Sequence, residues 1–319
     1  MQKYFSRKYY TDKRSESSPR SKAFLALVWV SIFWGTTWLA SKEGVKHMPA
    51  MQLASIRQII AGLLFIIFFL IKKEPLPKGK QWRVIVILSI LNFMMSNGLS
   101  TWGIKYIPSG LGAIMGAIFP LWLVIITMLT GKRLPKQVLV GLFLGFGGVC
   151  LIFYEHLMDF VNADFRFGIL LSLSATISWA FGTLYTKQQA AHYNPYFSLG
   201  FQMFISGLVL YIVLLATGTS IPIADIPRIS WASIAYLVLF GSVFTFVAYI
   251  YTLQHLPTAL ASVYAYINPI VAVLLGALLA NEKITTFIII GGVITVTGVY
   301  LVNNSLKRRT DPEVAEAKV

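Results

Sequence analysis

Residues 32–63, IFWGTTWLASKEGVKHMPAMQLASIRQIIAGL, decide the fold, because residues 177–208 repeat them without a gap. At this offset of 145 residues, 8 of the 32 positions are identical. The identities include Trp34 with Trp179, one lysine pair and one histidine pair. Apolar composition alone aligns Leu and Ile readily, but it does not place Trp, Lys and His in the same frame. The chain therefore contains an internal duplication, which in a membrane chain is a clue to function.

The composition places the chain in a lipid bilayer. Of its 319 residues, 56% are hydrophobic and 12% are charged, and the mean hydropathy is +0.70. A soluble core of this size needs far fewer apolar side chains. The net charge of +15 comes from Lys and Arg that lie in short segments between apolar runs. In such segments they set the orientation of the chain in the membrane, so they are not evidence for nucleic-acid binding. Cys150 is the single cysteine, which leaves no paired-cysteine site for a disulfide or a metal.

Apolar runs of roughly 20 residues span a bilayer, and the chain contains ten of them. Two copies of five crossings must be inserted in opposite senses, because an odd number of crossings leaves the chain on the other side. We therefore predict an all-α integral membrane protein whose ten transmembrane helices form two inverted five-helix repeats. The helices are expected near residues 23–41, 51–71, 82–103, 108–130, 136–153, 168–187, 195–217, 230–252, 258–280 and 286–303.

The domains and the orientation follow from this helix count. We expect a basic tail at 1–22, one repeat at 23–153, a second repeat at 168–303 and a tail at 304–319. Lys and Arg number 20 in the tails and alternate loops of one side and 6 on the other side. Because cytoplasmic loops collect positive charge, the sequence predicts a multi-pass protein of the plasma (inner) membrane with both termini in the cytoplasm.

Several short motifs resemble the drug/metabolite transporter superfamily, in its ten-helix EamA-type branch. They are WGTTW at 34–38, Arg57 in helix 2, the pairs Pro108 with Pro120 and Pro257 with Pro269, and NEKIT at 281–285. The first repeat departs from the pattern at residues 131–134, GKRL, where the family has a Glu in place of Lys132. The resemblance implies a cavity between the halves, lined mainly by helices 1, 3, 4, 6, 8 and 9, and alternating access to the two faces of the membrane.

Polar side chains inside the spans locate this cavity, because within lipid they must face protein or water. Ser89, Asn92, Ser96 and Ser100 form one stripe on helix 3, and Ser172, Thr176, Trp179 and Thr183 form one on helix 6. The alternatives are hydrogen bonds within the helix for Ser and Thr and interfacial anchoring for Trp. The candidate substrate-binding residues are Trp34, Thr37, Asn92, Ser96, Trp179, Thr183, Tyr264 and Asn268.

Four further residues are expected to have structural or gating roles. Arg57 lies about a third of the way into helix 2 and needs a polar partner, or it reaches the interface along its aliphatic stem. Glu282 follows helix 9, where a cap or an interfacial salt bridge is expected. Pro120 and Pro269 occupy corresponding positions in helices 4 and 9. No Asp or Glu falls in the central half of any span, so a carboxylate proton relay has no obvious carrier.

These features favour a secondary transporter of small organic metabolites, neutral or zwitterionic and amino-acid-like, with export suggested by the resemblance. An uptake facilitator or exchanger of the same fold is the alternative. A membrane enzyme acting on lipid-linked substrates is remote, because the four histidines are scattered and motifs such as HExxH and GxSxG are missing. We expect no cofactor and no metal, a small-molecule substrate and the bilayer as partners, and no bound nucleic acid. The sequence is silent on dimerisation, and a monomer is the simplest expectation.

Overall fold

The computed structural model describes residues 19–129, 131, 135–155, 158–189, 194–256, 261 and 264–310. The described residues form helices joined by short turns, with no strand among them, and they give the ten transmembrane helices that the sequence predicts. The helices are α1 Pro19–Val45, α2 Ala50–Ile71, α3 Lys80–Gly103, α4 Ser109–Ala117 with Phe119–Leu129, α5 Lys136–Glu155, α6 Ala163–Gln189, α7 Pro195–Ala216, α8 Arg228–His255, α9 Tyr264–Ala280 and α10 Thr286–Thr310.

The length and composition of these helices suit a bilayer. Seven of the described helices contain an apolar stretch of at least 18 residues. The other three, α5, α9 and α10, have 20, 17 and 25 residues and carry shorter apolar stretches. A transmembrane helix needs about 17–25 residues, so these three are also long enough to cross.

Some boundaries differ from the sequence prediction. α1 begins four residues before residue 23, and α10 continues past residue 303 to Thr310. Both differences are at helix ends next to polar segments, where apolar length alone does not define the last turn. Most of the predicted start of helix 9, and the tail residues 1–18 and 311–319, lie outside the described residues, as do Pro257, His192 and the segment 132–134.

The helix packing follows the duplication. α1 packs against α9 and α8, and its repeat partner α6 packs against α4 and α3, which are the partners of α9 and α8. α2 packs against its own partner α7, and α5 packs against its own partner α10. The contacts between the halves are therefore either matched by a repeat-related second contact or join two repeat partners directly, as a twofold axis between inverted repeats requires.

Glycines allow the self-paired helices to approach closely. A Cβ on Gly62 of α2 would lie 2.5 Å from the backbone nitrogen of Phe204 in α7, and one on Gly207 would lie 2.8 Å from the backbone nitrogen of Ile59. In the α5–α10 pair, a Cβ on Gly141 would lie 2.6 Å from the carbonyl oxygen of Gly298. Small residues at such crossings let helix backbones meet in lipid.

The two repeat-related prolines shape α4 and α9 differently. α4 is interrupted at Ile118, two residues before Pro120, because a proline ring clashes with the carbonyl four residues earlier. Pro120 is then the second residue of a new helical segment, where its missing N–H costs little. Pro269 instead lies inside the continuous helix α9. Both helices border the central cavity.

The middle of α3 and the middle of α8 are wound as π-helix, over Ser89–Gly98 and Leu237–Phe244. These segments correspond in the two repeats. Their carbonyl groups accept hydrogen bonds from other helices: Ser178 of α6 donates to Leu91 O (2.7 Å), and Trp34 of α1 donates to Gly241 O (3.1 Å). π-Helical winding in membrane and soluble proteins frequently marks functional sites, and both segments lie beside the cavity.

Candidate substrate-binding site

A central cavity of about 160 Å³ lies between the two halves. Its walls come from α1, α2, α3, α4, α6, α8 and α9. Among the described residues that line it, none is Asp or Glu, and the polar groups are hydroxyls, amides, indole N–H groups and one guanidinium. Seven of the eight candidate substrate-binding residues border this space: Trp34, Thr37, Asn92, Ser96, Trp179, Tyr264 and Asn268.

Thr183 is not among the lining residues. It lies one helical turn beyond Trp179 on α6, and the rings around Trp179 close the cavity at that level. Ser89 of the helix 3 stripe also faces elsewhere, because its hydroxyl donates to the carbonyl oxygen of Gln202 in α7 (2.8 Å). The other stripe members, Ser100, Ser172 and Thr176, line the cavity.

An aromatic cluster, made of Trp34, Trp179, Phe246, Tyr249 and Tyr264, adjoins the cavity, and all of these residues except Tyr249 line it. The ring centroids of Trp34 lie 5.0 Å from those of Tyr249 and Tyr264, 5.2 Å from that of Phe246 and 6.3 Å from that of Trp179. The Trp34–Trp179 contact is edge-to-face and joins the two repeat partners directly. The indole N–H of Trp34 is held by Gly241 O, so the ring cannot rotate freely.

Asn268 both borders the cavity and ties α9 to α1. With its amide oriented so that the NH₂ group donates, it bonds the carbonyl oxygens of Ser31 (2.6 Å) and Tyr264 (3.2 Å). Its side chain is buried, at 8% exposure. The two helices are also close at Gly35, where a Cβ would lie 2.6 Å from Cβ of Val271. Asn268 therefore holds the wall in place while presenting part of its amide to the cavity.

Asn92 is packed against a glycine of the opposite repeat. Its Oδ1 occupies the space where a Cβ of Gly182 would lie, and this oxygen has no hydrogen-bond donor among the described residues. Only 9% of Asn92 is exposed. Glycine at position 182 is thus needed for the amide to reach this position, and any larger residue there would push Asn92 toward the cavity.

Further wall residues are Trp38 and Phe246, which the sequence interpretation did not select, and Arg57, for which the sequence predicts a structural or gating role. The ring of Trp38 packs against Gly112 and Gly116 of α4, and a Cβ on Gly116 would be 2.8 Å from this ring. Phe246 of α8 adds a second apolar ring, and Arg57 brings α2 into the lining. The WGTTW motif signals Trp38, but a lone Phe in an apolar helix carries no comparable signal.

Lys42 and Glu282 do not line the cavity, but they tie helix ends together about two turns of α1 beyond Trp34 and at the start of α4. The ammonium group of Lys42 donates to the carbonyl oxygens of Ile104 (2.9 Å), Lys105 (3.2 Å) and Ile107 (2.8 Å). The carboxylate of Glu282 accepts from the backbone nitrogens of Ser109 (2.8 Å) and Gly110 (3.2 Å) at the start of α4. A carboxylate at a helix N-terminus is favourable, so Glu282 caps α4 as well as following α9.

Comparison with known proteins agrees with this architecture. The profile described as the EamA-like transporter family matches the chain twice, over residues 21–154 and 166–304. The chain is 30% identical to YedA of Escherichia coli K12, described as an uncharacterised inner membrane transporter, over 87% of this chain and 92% of the relative. It is 26% identical to the uncharacterised transporter YvbV of Bacillus subtilis, over 91% of this chain and 94% of that one.

The similarity extends to a plant protein and to a solved structure. A WAT1-related chloroplastic protein of Arabidopsis thaliana is 26% identical, over 85% of this chain and 67% of the relative. A crystal structure superposes with a TM-score of 0.66 at 18% identity and covers 91% of this chain and 99% of its own; this similarity concerns the fold. With the family profile covering both repeats, the chain belongs to the EamA-like transporter family and is a multi-pass membrane transporter.

Proposed function

We propose that the chain is a secondary transporter that moves small organic metabolites, neutral or zwitterionic and amino-acid-like, by alternating access. The observation that carries this proposal is the cavity between the inverted repeats, with aromatic rings at one end and polar groups along its walls. Cavities for drug-sized ligands measure roughly 300–1,000 Å³, so a volume of about 160 Å³ favours a smaller solute. Apolar rings suit an aliphatic or aromatic side chain, and hydroxyls and amides suit a polar end.

Alternating access would exchange the two closures of the cavity. We propose that the aromatic cluster forms the closure toward one face of the membrane, and that the contacts of Lys42 and Glu282 belong to the closure toward the other face. We propose that rocking of the halves opens one closure as the other forms, with the two termini in the cytoplasm and export as the net direction. The family assignment favours transport over the membrane-enzyme alternative.

The test is counterflow in proteoliposomes. Vesicles loaded with unlabelled amino acids, their carboxamides, nucleosides or sugars are diluted into the labelled form of the same solute, and transient accumulation is measured. We expect accumulation of at least one amino-acid-like solute, and none in vesicles without protein. Accumulation of sugars or nucleosides alone would reject the proposed substrate class, and failure of every solute would reject the transport proposal.

A further inference from the structure

Arg57 is a buried cation that the protein satisfies only in part. Its residue exposure is 5%, although it borders the cavity. Its Nε donates to the hydroxyl of Ser242 in the π-helical segment of α8 (2.9 Å). Among the described residues, no other acceptor lies within hydrogen-bond distance of the guanidinium and no carboxylate lies within ion-pair distance. The N–H groups on its two terminal nitrogens are therefore available to another molecule.

The local geometry holds the guanidinium in one position. Ser242 holds the Nε edge of the guanidinium. The absence of a side chain at Gly241 leaves room for its two terminal nitrogens, because a Cβ there would lie 3.0 Å from Nη2 of Arg57 and 2.9 Å from Cγ2 of Thr37. A charge held in an apolar bundle without a counter-ion is costly. The planar fork of arginine matches the two oxygens of a carboxylate and binds them side by side.

The guanidinium of Arg57 has no charged counterpart in the second repeat. At the repeat offset of 145, Arg57 corresponds to Gln202. Gln202 is buried, and its amide donates to the hydroxyl of Ser198 in its own helix (2.9 Å). Of the described lining residues, Arg57 alone carries a charge. The cavity thus has one positively charged group, on a helix of the first repeat, and this group can orient a solute that has one anionic end.

We propose that Arg57 binds the carboxylate of the transported metabolite, and that the substrates are carboxylate-bearing solutes such as amino acids and 2-oxo acids. This inference rests on the proposed transport function: it narrows the substrates to solutes with a carboxylate, and it extends them from neutral and zwitterionic solutes to anions such as 2-oxo acids. The carboxylate pairs with the terminal nitrogens of Arg57, while Ser242 positions the guanidinium from the other side. The apolar end of the solute then lies toward the rings of Trp34 and Trp38. Solutes that lack the carboxylate lose this pairing and bind weakly.

The experiment measures binding and counterflow of matched solutes. Purified protein is titrated with a panel of amino acids, the 2-oxo acid of each and the carboxamide of each, with thermal stabilisation as the binding readout. We expect stabilisation by the carboxylate-bearing forms and little by the carboxamides. In Arg57→Gln, which copies the residue of the second repeat, affinity for the carboxylates should fall roughly 10- to 150-fold, the range for a charged hydrogen bond. The carboxamides should bind as they do to the wild type.

Three further variants keep the test decisive. Arg228→Gln removes the same charge from an exposed position at the start of α8 and should bind like the wild type. Ser242→Ala leaves the cation in place and should weaken carboxylate binding a few-fold, because the fork is less well positioned. Arg57→Lys retains the charge without the fork and should recover part of the lost affinity. The last two remain informative if Arg57→Gln does not fold.

Two results would overturn the proposal in different ways. If amino acids and their carboxamides bind and exchange equally, and Arg57→Gln changes neither, the protein is a transporter but Arg57 is not a carboxylate site. If no solute of any class exchanges in proteoliposomes, the transport function itself fails, and the inference fails with it. Carboxylate-selective exchange that is lost in Arg57→Gln and kept in Arg228→Gln would support both.

Discussion

Replacing Gly62 with alanine is expected to separate α2 from α7. The added Cβ would lie 2.5 Å from the backbone nitrogen of Phe204 and 2.7 Å from the carbonyl oxygen of Gly200. Both contacts are with backbone atoms, so α7 can yield only by moving as a whole. To reach an ordinary contact of 3.4 Å, the helices must move apart by about 0.9 Å at this point. The packing of both helices along their crossing is then loosened.

The size of the effect follows from two opposing terms. Overpacking of a tight contact costs about 1–3 kcal/mol, whereas alanine stabilises a helix relative to glycine by about 0.5–1 kcal/mol. Gly147 of α5 provides a matched control, because nothing lies within 4 Å of the Cβ that alanine would add there. Gly147→Ala should therefore gain the helix stabilisation that alanine gives, without the cost of overpacking. The free energies of unfolding of the two variants should differ by about 1–3 kcal/mol.

The assay is thermal unfolding of the two purified variants beside the wild type in the same detergent. Gly62→Ala should unfold at a lower temperature than the wild type, and Gly147→Ala at the same temperature or higher. If both variants unfold at or above the temperature of the wild type, α2 and α7 do not approach as closely as the structure indicates.

The remaining predictions concern the cavity and its closures. Trp179→Ala and Asn268→Ala should each weaken solute binding while expression stays near the wild-type level; unchanged binding in both would return these residues to a packing role. Glu282→Gln should lower stability by about 1 kcal/mol, because the start of α4 loses a charged cap, and an unchanged unfolding temperature would contradict this. Flux should not depend strongly on a transmembrane pH gradient, because no described lining residue is Asp or Glu; a large proton-driven gain in counterflow would refute this.

The architecture could be predicted from the sequence because length and apolar composition define the spans. The duplication then specified inverted halves, and the helical spacing of Asn92 and Ser96 located one wall of the cavity. Thr183 shows the limit of that reasoning. It has the correct spacing from Trp179, but spacing does not reveal where the rings of other helices end the cavity.

The partner of Arg57 could not be predicted from the sequence. Ser242 is 185 residues away, and the contact depends on how α2 packs against α8 and on the π-helical winding of α8. No residue pattern signals that winding, and the carbonyl groups of the segment accept hydrogen bonds from other helices, such as the one from Trp34 to Gly241 O. The same dependence on tertiary contacts applies to α3 and its bond from Ser178.

The self-paired contacts of α2 with α7 and of α5 with α10 bear on how the molecule arose. Each contact joins a surface to a copy of itself, which is the relation between the subunits of a twofold dimer. Two separate five-helix chains in opposite orientations would already form both contacts and the space between them. What fusion into one gene added was the freedom of the copies to diverge. A cation at position 57 that corresponds to a neutral amide at position 202 is a difference that a pair of identical chains could never have had.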